Sequence, residues 1–239
     1  MTMFSSFWMA NAGADAFSVD NSAMFNDDDS EYLTRTPTVV GNRRTWTLSF
    51  WFKFGSITGR QMFYGQDDAY ISINENSSTS ALINMYIVGN DSPGWYWETT
   101  AMFRDPHAWY HVVVAFNSNN STADNRLRLY INGEELTTFT KHATGAFNNQ
   151  HDIGGSDTQI IAKHPASSGQ YYDGYFAEYA YINGRQLAPA SFGEADDNAV
   201  WRPIDLTDTL TVSSTAEAIA NSASATNSSG LTTYTYSGV

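Results

Sequence analysis

The chain has no cysteine in its 239 residues, which removes disulfides, thiolate metal sites and a cysteine nucleophile. Cations are scarce, with 12 Lys and Arg against 25 Asp and Glu and a net charge of -13. Nucleic acid is held by clustered Lys and Arg, so it is not an expected partner. No apolar run approaches the length needed to cross a bilayer, and no membrane association is expected. The opening stretch MTMFSSFWMA lacks the basic segment of a secretory signal. A working place outside a cell would then be reached by lysis. Helical periodicity is nearly absent; residues 187–192 suit one short turn at most.

Other features are plentiful. Hydrophobic residues make up 42% and aromatics 15%, enough to fill a sizeable core in a chain of this length. With only 15% charged residues, the surface falls largely to Ser, Thr, Asn and Gly, which suits an extracellular or particle-surface β protein. The acidity supplies either carboxylates for divalent cations or simply a solvated surface. The lack of cysteine fits folding in a reducing compartment.

Composition divides the chain into an arm over 1–23, a β-rich body over 24–205 and a Ser/Thr/Ala-rich arm over 206–239. Thr45–Phe54 alternates, with Trp46, Leu48, Phe50 and Phe52 on one face and Thr47, Ser49, Trp51 and Lys53 on the other. Residues 70–73 and 82–88 are further strands, and 109–116 is a nearly continuous apolar strand suited to a sandwich interior. Leu127–Ile131 ends in Asn132-Gly133, a type I′ hairpin signal. Residues 175–182 end in Asn183-Gly184, which reads as a second such turn. Phe176, Tyr179 and Tyr181 are expected to pack on a strand from 25 to 33. Short strands with turns between them imply two antiparallel sheets packed face to face as a jelly-roll sandwich, with extended N- and C-terminal arms.

The run at 46–52 (WTLSFWF), the strand at 109–114 (WYHVVV), the hairpin at 129–133 (LYING) and the strand at 172–182 (YDGYFAEYAYI) together resemble the laminin G-like/concanavalin A-like lectin-glucanase superfamily. Residues 25–37 (FNDDDSEYLTRTP), 41–46 (GNRRTW), 103–111 (FRDPHAWYH), 182–194 (INGRQLAPASFGE) and 200–203 (VWRP) are similar to LamG-type virion proteins of marine and aquatic bacteriophages. The resemblance covers about 24–203. It implies a lectin-like sandwich in a particle assembled in the bacterial host cytoplasm.

Glycosidases of this fold carry two acids on one strand face as E-x-D-x-E or E-x-D-x-x-E. Neither pattern occurs here; Glu194-Ala195-Asp196-Asp197 is the nearest, in a loop after the last core strand. His107 and His111 stand about 13 Å apart along a strand, too far to share a metal. No nucleophile elbow or phosphate-binding loop occurs. The resemblance places a calcium site at the sandwich rim near Asp67 and Asp68, with Asp157 or Asp152 as a further acid; the alternative is that these Asp residues form turns. Trp95 and Trp97, on one side of an extended segment, and Tyr171 beside Tyr172 are candidate rings for stacking on a glycan. The alternative is that they fill a core or a subunit interface, and the aromatic load along the whole chain favours it.

The expected protein is therefore a non-enzymatic structural component of the virion surface, as capsid decoration, head fibre or tail part. Its expected partners are major capsid or tail proteins and further copies of itself, with the arms held by neighbouring subunits. The competing expectation is a receptor-binding lectin that grips a host surface glycan.

Overall fold

The computed structural model describes residues 17, 19–87, 94–206, 216–218 and 235–237. Most of both expected arms, including Phe4, Phe7 and Trp8, lies outside the described residues, as does Val88 at the end of one expected strand. In chain order the strands are β1 (Ala23–Phe25), β2 (Tyr32–Arg35), β3 (Thr45–Phe54), β4 (Arg60–Gln66), β5 (Ala69–Ser77), β6 (Ser80–Ile87), β7 (Trp95–Thr99), β8 (Tyr110–Asn117), β9 (Leu127–Ile131), β10 (Glu134–Leu136), β11 (Phe139–Ala143), β12 (Gln159–Ile161), β13 (Gly174–Asn183), β14 (Gly193–Ala195), β15 (Trp201–Pro203), β16 (Ala216–Ala218) and β17 (Thr235–Ser237). The short turn expected near 187–192 is a single 3-10 turn at Pro189–Ser191.

The strands form two large antiparallel sheets stacked as a sandwich, as expected for a concanavalin A/LamG-like jelly roll. One sheet runs β1-β13-β3-β8-β9-β10, with β16 also on β13; the other runs β11-β7-β6-β5-β4-β12-β2-β17. Alternation along each strand decides what lies between the layers. Trp46, Leu48, Phe50 and Phe52 of β3 join Ile71, Ile83, Met85 and Val114 in one core. Rings carry much of the contact: Phe50 lies 5.1 Å from Phe63 of the opposite sheet and 5.0 Å from Tyr179. Trp46 stacks on Phe116 at 5.2 Å.

The other face of β3 is not a solvent face. Thr47 and Ser49 are buried, because the chain after β13 folds back over this sheet and makes a second cluster with Val113, Tyr130, Phe192 and Leu206. The expected strand from 25 to 33 is two strands in different layers, with β1 on β13 and β2 on β12. Phe176 meets Phe25 at 5.5 Å as expected, whereas Tyr179 and Tyr181 stack on Phe50 and Trp46.

Asn132 and Gly133 take φ of 48° and 85°, the left-handed pair that a two-residue type I′ hairpin requires. They join β9 to β10. Asn183-Gly184 is not a hairpin. The segment that follows it, over 185–192, does not pair with β13, and β16, which does, comes much further along the chain; the Asn183 carboxamide oxygen instead accepts from the Asn42 N–H at 2.6 Å. Among the described residues no helix is long and apolar enough to cross a membrane.

Candidate functional site

Three successive strands of the eight-stranded sheet repeat one pattern: Ala69-Tyr70-Ile71, Met85-Tyr86-Ile87 and Trp95-Tyr96-Trp97. In each, the flanking residues enter the core, so the tyrosine points outward. Register sets Tyr70 opposite Tyr86 and Tyr86 opposite Tyr96. The result is a row of rings across β5, β6 and β7, with centroids 5.4 Å and 6.1 Å apart. Tyr86 is 37% exposed at its centre.

The next outward positions along the same strands are Ser72, Asn84 and Glu98. Asn84 Nδ2 donates to the Tyr96 hydroxyl at 3.0 Å. Its Oδ1 is buried and has no hydrogen-bond partner, a costly state for an amide oxygen. Cations stand at both ends of the row. Arg60 Nη1 donates to the Tyr70 hydroxyl at 3.2 Å and sits 5.4 Å from that ring. Lys141 Nζ of β11 donates to the Tyr96 hydroxyl and to Glu98 Oε2, both at 3.3 Å. Burial raises the Tyr70 phenol pKa, with Arg60 opposing and Tyr96 and Tyr86 adding to the rise.

Trp95 and Trp97 share one side of β7 as alternation requires, but that side is the interior. Trp95 is fully buried, edge-on to His151 at 4.3 Å. Trp97 is 3% exposed, and its Nε1 donates to the Ala143 carbonyl at 3.1 Å. Register places them opposite Ile87 and Met85, both core residues. They are structural rings, and neither offers a face to a sugar. The outward ring of the segment is Tyr96, which alternation exposes once the flanking tryptophans are assigned to the core.

Tyr171 is half-buried and stands 6.3 Å from Tyr32, with Lys163 Nζ 4.5 Å from the Tyr32 centroid and 5.9 Å from that of Tyr171. Its neighbour Tyr172 is fully buried and stacked on Phe176 at 4.2 Å. Residues 163–165 run between this pair and the tyrosine row: His164 lies 5.2 Å from the Tyr70 ring. Pro165 lies where a side chain on Gly65 would stand.

Asp67 and Asp68 form the β4–β5 turn at the sandwich rim, Asp67 in the left-handed region at φ 52°. Buried Gln66 ties this turn to the loop over 152–157. Its Nε2 donates to the Gly155 and Asp157 carbonyls at 3.0 and 2.8 Å, and its Oε1 accepts from the Gly154 N–H at 2.9 Å. Asp67, Asp68, Asp152 and Asp157 thereby come into one neighbourhood. Burial pushes the Asp152 carboxyl up to about 6, helped chiefly by Asp67 and opposed by Arg43, which holds it in an ion pair of 3.3 Å. Burial and the charges of Asp157 and Asp68 likewise raise Asp67. In charge and oxygen chemistry this set fits a hard cation. Among the described residues no three acidic or histidine side chains converge to ligate one ion, so carbonyls and water would supply the balance.

One Ser–His contact exists in the layer over the seven-stranded sheet. Ser49 Oγ lies 2.9 Å from His111 Nε2, and Trp201 Nε1 donates to His111 Nδ1 at 2.9 Å. An indole nitrogen only donates, so Nδ1 is the acceptor and the ring proton sits on Nε2, pointing at Ser49. In that tautomer the histidine cannot take the serine proton, and burial holds its pKa down to about 3. The nearest acidic run is also structural: Asp196 Oδ1 caps the Asn198 and Val200 N–H groups of the β14–β15 hairpin, each at 2.9 Å.

A family model for Laminin_G_3, described as the concanavalin A-like lectin/glucanases superfamily, matches residues 26–192. No curated protein sequence matches the chain. Among solved structures it is similar to a putative carbohydrate binding protein from Bacteroides ovatus, at 11% identity and a TM-score of 0.51, over 73% of this chain and 46% of that one. It is also similar to a heptameric SAP-like pentraxin from Limulus polyphemus (14% identity, 70% and 76% coverage, TM-score 0.47). A further similarity is to domain 4 of a GH43 extracellular arabinanase from Geobacillus stearothermophilus in complex with arabinotriose (18% identity, 71% and 73% coverage, TM-score 0.48). At these identities the likeness is one of fold, and the chain spans less than half the length of the Bacteroides protein.

Proposed function

The chain belongs to the concanavalin A-like lectin/glucanases superfamily, and on that premise we propose that it is a non-catalytic carbohydrate-binding protein displayed on the surface of a bacteriophage particle. The observation that carries the binding part is the outward row of Tyr70, Tyr86 and Tyr96. A pyranose has a face of C–H groups that is apolar. Laying it on a phenol ring removes both from water, worth on the order of 1 kcal/mol per ring. Glu98, Lys141 and Arg60 stand at the edges of the rings, where sugar hydroxyls need hydrogen-bond partners. Rings held by strand register are already in place, so little ordering cost falls on binding.

The phage part rests on the sequence resemblance over about 24–203. In that setting the partners are capsid or tail proteins and other copies of the chain, and the tyrosine face is the one turned toward a host surface. At the rim we assign calcium to the neighbourhood of Asp67, Asp68, Asp152 and Asp157. It would neutralise their shared charge and fasten the β4–β5 turn to the 152–157 loop.

A glycan array probed with the whole chain, alongside a Tyr86→Ala variant, tests the binding reading. Selective binding by the native chain and its loss in the folded variant is the expected result. No binding to any glycan, with or without calcium, overturns it. Mass spectrometry of purified particles tests the location, and absence of the chain from them overturns that part.

A further inference from the structure

Resting on the glycan-binding reading of the tyrosine face, we infer that its ligand is an acidic polysaccharide, one bearing carboxylate or sulfate groups, gripped between Arg60 and Lys141. The chain carries 12 basic and 25 acidic residues, so most of its surface repels such a ligand. This face departs from the average. Arg60 lies over Tyr70 at 5.4 Å, Lys141 over Tyr96 at 5.3 Å, and Lys163 over Tyr32 at 4.5 Å beyond the intervening 163–165 segment. Lys141 shares its charge with Glu98 at 3.3 Å. Among the described residues Arg60 and Lys163 stand in no ion pair, and the Arg60 hydrogen bond runs to a neutral phenol.

The placement sets the kind of ligand. Arg60 belongs to β4 and Lys141 to β11, and between those strands lie β5, β6 and β7. Four inter-strand steps span about 19 Å, the reach of an oligosaccharide segment lying across the strands. Its sugar faces meet the three rings while acidic groups meet the cations at the two ends. A guanidinium whose fork is turned to a phenol can take a carboxylate or sulfate by two parallel N–H···O bonds at no cost of breaking an ion pair. A neutral glycan would leave that charge unused.

The test compares polymers that differ only in charge. Binding of the whole chain to polygalacturonate and to its methyl-esterified form, and to dextran sulfate and dextran, is measured by affinity electrophoresis and calorimetry at low and high salt. The acidic member of at least one pair should bind at least about tenfold more tightly, and the difference should shrink as salt rises. Arg60→Gln should cost about tenfold on that acidic polymer and distinctly less on its neutral partner, which loses a hydrogen-bond donor but no charge pairing. Lys141→Gln serves as a second variant, with circular dichroism confirming the fold of both. Equal binding within each pair, insensitive to salt and to Arg60→Gln, overturns the acidic-ligand inference while leaving glycan binding in place. Binding to no member of either pair, joined to a blank glycan array, removes both.

Discussion

Tyr96 and Trp97 are adjacent in the chain and lie on opposite sides of one sheet. The Trp97 indole is 3% exposed and packs 4.4 Å from Phe139 inside the sandwich. The Tyr96 ring meets Tyr86 outside it, 6.1 Å away. The pleat of β7 thus divides an aromatic triplet between two jobs: the tryptophans fasten the layers, and the tyrosine extends the outer row. Which of the three rings is open to a ligand is decided by the side of the sheet it occupies.

That division gives opposite outcomes for two truncations. Tyr86→Ala removes a partly exposed ring and should change stability by less than about 1 kcal/mol while abolishing most glycan binding. Trp95→Ala empties a fully buried site and should cost about 3–5 kcal/mol, with binding lost only through unfolding. Urea unfolding and a binding isotherm on each variant separate the two. A Tyr86→Ala protein that binds as well as the native one would remove the row from the site.

The same pair shows how far the sequence can be read. The bounds of β3 and β9 are legible to the residue, because their alternation is clear and β9 ends in a turn whose left-handed pair Asn-Gly strongly favours. Alternation also places Trp95 and Trp97 on one side of β7. It does not say which side is inside, since that is settled by Met85 and Ile87 on the neighbouring strand. Asn183-Gly184 carries the same dipeptide as the true hairpin, yet the chain beyond it turns away to cover Thr47 and Ser49, a choice made by packing far from the turn. The acidic rim is legible for a different reason: the family resemblance points to Asp67 and Asp68. Their closeness to Asp152 depends on Gln66, whose carboxamide joins segments 88 residues or more apart, and no local pattern marks it.

Gln66→Ala should therefore act on two levels. The carboxamide is fully buried, and its loss leaves the Gly154 N–H and two carbonyls without their partner. A cost of about 2–3 kcal/mol is expected by chemical denaturation. The 152–157 loop should also exchange amide protons faster than in the native chain, with β3 and β8 unaffected. Uniform exchange across the molecule would mean that the loop is held by something other than this side chain.

At the rim, calcium should raise the thermal midpoint at pH 7.5, where Asp152 is ionised, and much less at pH 5, below its folded-state value of about 6. A concentration a hundred times Kd contributes about 3 kcal/mol. Asp67→Asn or Asp152→Asn should shrink the shift, and a chelator should reverse it. A midpoint that ignores millimolar calcium at both pH values would remove the cation from the rim.

The His111 site makes the sharpest claim about acid. Burial holds its folded-state pKa at about 3, against 6.5 in an unfolded chain. Below pH 6.5 the unfolded chain takes up a proton that the folded one refuses. The stability this site contributes is therefore complete above pH 6.5 and is lost toward pH 3, at up to about 1.4 kcal/mol per pH unit. Asp152 acts with the opposite sign. Its folded-state pKa of about 6 exceeds the ordinary 3.8, so between those values acid favours the fold there. The native curve mixes both effects, and a variant isolates one. The free-energy gap between the native chain and His111→Gln, read from urea unfolding, should narrow by about 2 kcal/mol between pH 7.5 and pH 5, because the variant has no proton to refuse. A gap that stays constant over that range would mean His111 is protonated equally in both states, and that the bond from Trp201 Nε1 to Nδ1 does not hold it neutral.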